Sequence, residues 1–320
     1  MASVDDSARG GGRGARPADG GAPSVAARRH DVHLVDGTYE LFRHFYAVPA
    51  HEDARGRDVG AVRGVLSSLL SLLREGATHV GVATDHVIES FRNALWVGYK
   101  TGDGIDPALR AQFEPLEEAL AAMGVAVWPM IELEADDALA TAAVLAAADP
   151  AVRRVFVCTP DKDLAQSVVG ERVVQLDRRR RLLLDEAGIT ARFGVPPTSI
   201  PDYLALVGDS ADGYPGLPGW GARSSAAVLG RFRRIDAIPD DAGLWGVDVR
   251  AAQRLAAVLA GNRERALLFR KLATLRTDAD VGRPPDWRWR GPTASFRALA
   301  EALRAPDLAR RADELASSLA

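Results

Sequence analysis

Residues 125–163 read VAVWPMIELEADDALATAAVLAAADPAVRRVFVCTPDKD, and this stretch decides the fold. Val125-Ala126-Val127-Trp128 is a short apolar run of strand length. Ala135 to Ala148 is long, apolar and rich in alanine, the residue with the highest intrinsic helix propensity. Val155-Phe156-Val157-Cys158 is a second short apolar run. Strand, helix and strand in succession make a βαβ unit, whose two strands lie parallel. The junctions are acidic. Glu132-Leu133-Glu134-Ala135-Asp136-Asp137 places four carboxylates in six positions, and Asp161-Lys162-Asp163 adds two after the next strand.

Upstream the pattern repeats. His33-Leu34-Val35-Asp36-Gly37 reads as a buried strand stopping at an Asp-Gly turn, and Val80-Gly81-Val82-Ala83-Thr84-Asp85 as another that ends in aspartate. Val62 to Leu73 and Leu109 to Met123 carry apolar residues at helical spacing. Downstream, Val173-Val174-Gln175-Leu176 and Leu182-Leu183-Leu184 flank a turn at Asp177-Arg178-Arg179-Arg180, a hairpin. The expected fold class is therefore α/β, with a mostly parallel sheet flanked by helices. Such sheets bind ligands at the carboxyl ends of their strands. Asp36, Asp85, Glu134 and Asp161 all follow strand ends, so four elements deliver carboxylates to one edge.

After Asp185 short helices are broken by Pro196-Pro197, Pro201, Pro215, Pro218 and Gly219, which indicates a helical second domain. The expected division is a disordered Gly/Ala/Arg/Pro-rich extension over 1–29, an α/β domain over 30–184, a helical domain over 185–276, and a linker with a helical tail over 277–320. A chain of 320 residues, 47% hydrophobic and 26% charged, can build its cores without disulfides or structural zinc. Cys158 is the single cysteine, which fits a reducing, cytoplasmic compartment. No apolar run reaches bilayer length, and Asp5 and Asp6 leave no room for a signal-peptide core. The net charge of −3 hides segregation: acids gather at 132–137 and 161–163, arginines at 178–181, 231–234 and 263–276.

Like charges at this density repel one another, and desolvation would raise their pKa values unless a cation is present. Oxygen donors without His or Cys suit Mg²⁺ or Mn²⁺. Two such ions about 3.5–4 Å apart can clamp the attacking and leaving oxygens of a phosphoryl displacement. Helix capping explains any single acidic pair, since acids stabilise first helical turns. It does not explain clusters on every strand-end junction together with Gly208-Asp209-Ser210-Ala211-Asp212.

These motifs, in this order, resemble the 5′-nuclease family: the N-terminal nuclease domain of bacterial DNA polymerase I, phage 5′-nucleases and eukaryotic flap endonucleases. The resemblance runs from His33 to about Leu229. It is carried by Leu34-Val35-Asp36-Gly37, Asp85 with Phe91-Arg92, Glu134-Ala135-Asp136-Asp137, Thr159-Pro160-Asp161-Lys162-Asp163, and the run from Gly208-Asp209 through Asp212 to Trp220-Gly221. It implies a PIN-like nuclease domain with an arch over 86–112, then a helical domain with a helix–three-turn–helix motif. It implies metal ligation, direct or through water, by Asp36, Asp85, Glu134, Asp136, Asp161 and Asp163, with Asp137, Asp209 and Asp212 completing the set. Lys100 would contact the scissile phosphate, Tyr99 would stack on a base, and Arg43 and Arg92 would contact phosphates. Gly219, Gly221, Arg223 and Ser224 would hold duplex phosphates through backbone N–H groups at a helix start. Carbonyls of that loop would hold K⁺. The implied activity is two-metal hydrolysis of DNA at 5′ ends, nicks or flaps, in a bacterial cytoplasm at the nucleoid.

The chain departs from the pattern where Asp103 stands for the usual Arg, Glu89 for a basic residue, Gly213 for Asn, and Arg223-Ser224 for Lys-Thr. Asp36-Gly37-Thr38 alone suggests a phosphatase, but that chemistry needs a nucleophilic Asp where Leu34 sits. A ribonuclease of related fold and a noncatalytic DNA-junction binder are the remaining alternatives. The glycine loop favours DNA over RNA, and the complete acid set favours catalysis. The chain ends too soon after the nuclease-like region for a fused polymerase to be expected.

Overall fold

The computed structural model describes residues 29–319, and nearly all of the 1–29 extension lies outside them. Six strands form one sheet in the order β3-β2-β1-β4-β5-β6. They are β1 (His30–Asp36), β2 (His79–Asp85), β3 (Ala126–Met130), β4 (Val152–Cys158), β5 (Val173–Asp177) and β6 (Leu182–Leu184). All neighbours pair in parallel except β5 and β6, the expected hairpin. The chain builds outward from β1 through β2 to β3, then crosses back to place β4 on the other flank of β1. The order therefore reverses between β1 and β4, and their carboxyl ends frame the crevice where such sheets take ligands.

Helices α1 (Gly37–Phe45), α2 (Gly60–Arg74), α3 (Pro107–Arg110) and α4 (Phe113–Ala122) follow β1 and β2. Their apolar residues build a first core that includes Val62, Leu66, Leu69, Leu116 and Leu120. The β1 junction differs from expectation. The strand passes directly into α1 without a turn, and the Asp36 carboxylate caps the helix by accepting the Tyr39 N–H at 2.8 Å. Gly37 permits this, because a Cβ there would meet the Ala83 carbonyl and the Thr84 side chain at 2.8 Å. The helix expected over 109–123 is broken at Gln112. Its buried amide oxygen instead accepts the N–H groups of Ala61 and Val62, the uncapped start of α2.

Helix α5 (Ala135–Ala148) covers the other face of the sheet, its small alanine side chains allowing close approach. The 280–289 segment, expected as a linker, is part of the same construction. Trp287 is fully buried and meets Trp128 of β3 edge-on, while Trp289 donates its indole N–H to the Met123 carbonyl. Burying side chains of this size contributes about 1.5–3 kcal/mol each. The expected tail likewise packs: α11 (Phe296–Ala302) and α12 (Pro306–Leu319) add Phe296, Leu303, Leu308 and Ala312 to the first core.

A second core lies in α6 (Glu186–Phe193), α7 (Ile200–Val207), α8 (Ala222–Phe232), α9 (Ala252–Gly261) and α10 (Arg263–Ala273), around Leu204, Leu229, Trp245 and Phe269. Among the described residues no helix is long and apolar enough to cross a membrane.

Candidate metal centre and nucleic-acid platform

The carboxyl ends of β1, β2 and β4, the start of α5 and the loop after α7 bring carboxylates together. Asp36 ends β1, and its second oxygen accepts the Thr159 hydroxyl at 2.9 Å. Asp85 ends β2 and accepts the Ala135 N–H at 2.7 Å, which ties it to the first turn of α5. Glu134 is the N-cap residue of α5 and Asp136 lies in its first turn. Asp161 follows β4 and accepts the Asp163 N–H at 2.9 Å. Asp163, Asp209 and Asp212 each offer an oxygen within 4.8 Å of the others.

Crowding shows in the acidities. Burial first, then the charges of Asp85 and Asp161, push the Asp36 carboxyl up to about 7. Burial likewise raises Asp85, Asp136, Asp163 and Asp212, with neighbouring carboxylates adding to it. Glu134 goes the other way: burial would raise it, but the Lys100 ammonium and the Arg92 guanidinium outweigh that and hold it below its usual value. Lys100 stands 2.9 Å from Glu134 Oε2 and 3.3 Å from Asp212 Oδ1, with 28% of its side chain exposed. Asp163 Oδ1 and Asp209 Oδ2 are buried without a hydrogen bond of normal geometry, and Lys162 is the cation against both. A set of crowded, buried hard oxygens without His or Cys, more numerous than the two lysines among them, fits divalent cations.

Several expectations are corrected. Asp137 is fully buried, and both its oxygens are occupied by Arg92, the Arg276 N–H and the Glu134 N–H, so it turns away from the carboxylate edge. Arg92 is 1% exposed and cannot reach a phosphate. Tyr99, 3% exposed, donates its hydroxyl to Glu134 Oε2 at 3.3 Å and offers no open face to a base. Arg43 pairs with Glu40 and lines a separate cavity of about 950 Å³ with His30, His33, Thr78 and Arg178, toward the amino ends of β1 and β2. Glu89 and Gly213 have local roles. Glu89 accepts the Gly102 N–H at 2.8 Å, and the Gly213 carbonyl accepts the Trp96 indole N–H at 3.0 Å. Gly213 has φ +80°, and a Cβ there would collide with the Gly98 carbonyl. Together with the Lys100 N–H to the Asp212 carbonyl, these contacts sew the 91–102 segment onto the second unit. Asp103 is exposed and accepts only the Thr101 hydroxyl among the described residues.

The glycine loop stands where the sequence places it. Gly219 has φ +82°, Gly221 caps α8 and accepts the Ser224 hydroxyl, and Arg223 is exposed in the first turn. A concavity of about 810 Å³ opens beside them. Arg250 and Arg254 also line it and were missed from sequence; four residues apart around the start of α9, they were legible only as an ordinary charged face. Lys162 was missed as well, although a lysine flanked by two aspartates is itself a signal.

A sheet with carboxylates converging on its switch point, followed by a helical unit with a glycine loop, defines the fold of a metal-dependent nuclease. Family models agree: the 5′-3′ exonuclease N-terminal resolvase-like domain matches residues 31–194, and the 5′-3′ exonuclease C-terminal SAM fold matches residues 195–295. The chain belongs to the 5′-3′ exonuclease family. It is 36% identical over 258 residues to DNA polymerase I of Pseudomonas aeruginosa, covering 78% of this chain and 27% of that one. The chain thus spans about a quarter of the length of that relative. With a 5′-3′ exonuclease of Buchnera aphidicola it shares 26% identity over 79% of this chain and 89% of the relative. Its fold is similar to that of the T5 5′-exonuclease with bound zinc (TM-score 0.63, 16% identity, 90% and 99% of the two chains). It is also similar to the catalytic core of Rad2 in complex with a DNA substrate (TM-score 0.59, 18% identity, 92% and 93%).

Proposed function

We propose that this chain is a 5′→3′ exonuclease and structure-specific flap endonuclease that hydrolyses DNA phosphodiester bonds with two divalent cations, Mg²⁺ or Mn²⁺. The observation that carries the reading is the convergence of Asp36, Asp85, Glu134, Asp136, Asp161, Asp163, Asp209 and Asp212 from five elements onto one strand-end crevice. These eight residues would hold the ions directly or through water. Bound there, such cations supply Lewis-acid stabilisation to the charge that develops on the transferring phosphoryl group. Lys100, exposed enough to reach a ligand and fixed by two carboxylates, presents a cation to the scissile phosphate without having to reorganise.

Duplex would seat on the second unit. The N–H groups at the start of α8, with Gly219, Gly221, Arg223 and Ser224, and with Arg250 and Arg254 across the concavity, suit a phosphate backbone and carry no base specificity. Carbonyls of the same loop would hold the K⁺ that the resemblance implies. DNA with 5′ ends, nicks or flaps is the proposed substrate, met at the nucleoid of a bacterial cytoplasm. Cleavage of 5′-labelled flap, nicked, blunt and single-stranded DNA in Mg²⁺, with product sizing, tests the assignment. Short 5′ products in Mg²⁺ support it. Cutting of RNA in preference to DNA, or binding of junctions without cutting, contradicts it.

A further inference from the structure

Arg92 occupies a position that neither ligation nor phosphate contact explains. Four of its five N–H donors form hydrogen bonds, and the guanidinium also pairs with a second carboxylate. Nη1 and Nη2 form a fork on Asp137 at 2.8 and 2.7 Å, and Nη1 also lies 3.2 Å from Glu134 Oε1. Nε donates to the Leu272 carbonyl at 2.8 Å and Nη2 to the Thr274 carbonyl at 3.2 Å. Asp137 completes the knot by accepting the N–H groups of Glu134 and Arg276. The Arg92 and Arg276 guanidiniums both lie over the Phe91 ring, 4.6 and 5.3 Å from its centroid. Three segments distant in sequence therefore meet at one guanidinium: the base of the 86–112 segment, the Glu134–Asp137 turn, and the end of α10. Residues 272–276 are where the chain leaves the second core for the sheet, since Leu272 and Ala273 belong to the second core and Leu275 to the α5 face. Gln166 makes a parallel suture, to the Ala273 carbonyl and the Leu275 N–H.

We infer that Arg92 is a positioning residue, which holds the turn bearing Glu134 and Asp136 in register with the duplex-binding unit. The inference rests on the metal reading above and adds a role for a residue outside the ion-binding set. An outer partner that orients a ligand typically changes metal affinity or activity by about 10- to 100-fold when removed. Lysine cannot replace this arginine, because a point charge with three donors cannot span a carboxylate fork and two carbonyls at once.

The test uses full-length Arg92→Lys and the isosteric Asp137→Asn, which removes the other half of the fork. Mn²⁺ binding is followed by loss of the free-ion paramagnetic signal, with duplex affinity measured in Ca²⁺ and steady-state cleavage in Mn²⁺. The expected result for a cooperatively folded variant is Mn²⁺ affinity at least tenfold weaker and kcat lower, with duplex Kd and KM within twofold of wild type. Unchanged Mn²⁺ affinity in either variant would overturn the role, as would a duplex Kd that weakens while Mn²⁺ binding holds. If both variants lose cooperative unfolding, the pair is general scaffolding and the inference fails. Wild-type protein that binds no Mn²⁺ would sink the metal reading itself.

Discussion

Replacing Lys100 by alanine should tighten divalent-cation binding while slowing cleavage. The ammonium stands 2.9 Å from Glu134 Oε2 and 3.3 Å from Asp212 Oδ1, a built-in cation among the proposed ligands. With a metal–oxygen bond of about 2.1 Å, an ion on the Glu134 oxygen would lie within about 5 Å of Nζ. Repulsion between charges of +2 and +1 at that distance is about 1.7 kcal/mol even at the dielectric constant of water. Screening at physiological salt takes this to about half. The expected gain in Mg²⁺ affinity is thus about 5- to 15-fold, measured calorimetrically near pH 8, where proton competition for the carboxylates is small. Cleavage under saturating Mg²⁺ should fall by about a hundredfold or more, because the cation proposed to face the reacting phosphate is lost. Weaker Mg²⁺ binding by Lys100→Ala would refute the placeholder argument. Undiminished cleavage would refute the phosphate contact.

Acidity gives a second expectation. Asp36, Asp85, Asp136, Asp163 and Asp212 are all raised, so the folded protein binds protons that the unfolded chain releases, and stability measured in chelator falls as pH rises from about 4 through 7. Metal binding must displace those protons, so Mg²⁺ affinity should rise at least tenfold from pH 6 to 8, with proton release visible as buffer-dependent heats. A pH-independent affinity would contradict the crowding. Asp103→Arg moves an exposed position beside Lys100 by two charge units and should raise flap cleavage through a lower KM at low salt, leaving nicked duplex unaffected. An unchanged flap-to-nick ratio would place Asp103 outside the strand path. Arg223→Ala should weaken binding to all duplex sequences alike and flatten the slope of log K against log salt by about 0.9. Loss of affinity for one sequence only would argue against a phosphate contact.

The edge of the sheet was legible because β1 and β2 are buried apolar runs that end in an aspartate and β4 is followed by one three residues on, a pattern local to a few residues. Asp36, Asp85 and Asp161 could be placed at strand ends from that pattern alone, and α5 stood out by its alanines. Arg92 could not be read this way. Its partners lie 45, 180 and 182 positions away, so the sequence shows a free arginine where the fold makes a buried knot. Tyr99 fails for the same reason, its hydroxyl meeting Glu134 across the site. The 280–289 segment looked like a linker because two prolines and four charges break its periodicity, yet Trp287 and Trp289 are buried against the sheet. A break such as that at Gln112 is set by another helix's unsatisfied N–H groups, which no local window contains.

The central claim is that the carboxylate edge performs cation-dependent hydrolysis of DNA. Single-turnover cleavage of a 5′-labelled nicked duplex by wild type, Asp136→Ala and Asp161→Ala, in Mg²⁺ and in excess EDTA, tests it most directly, with unfolding and duplex affinity measured alongside. The account predicts cleavage by wild type in Mg²⁺ alone and a loss of at least a thousandfold in both variants, which should stay folded and bind duplex within a few-fold of wild type. Wild-type turnover in EDTA, or undiminished cleavage by either folded variant, would contradict it.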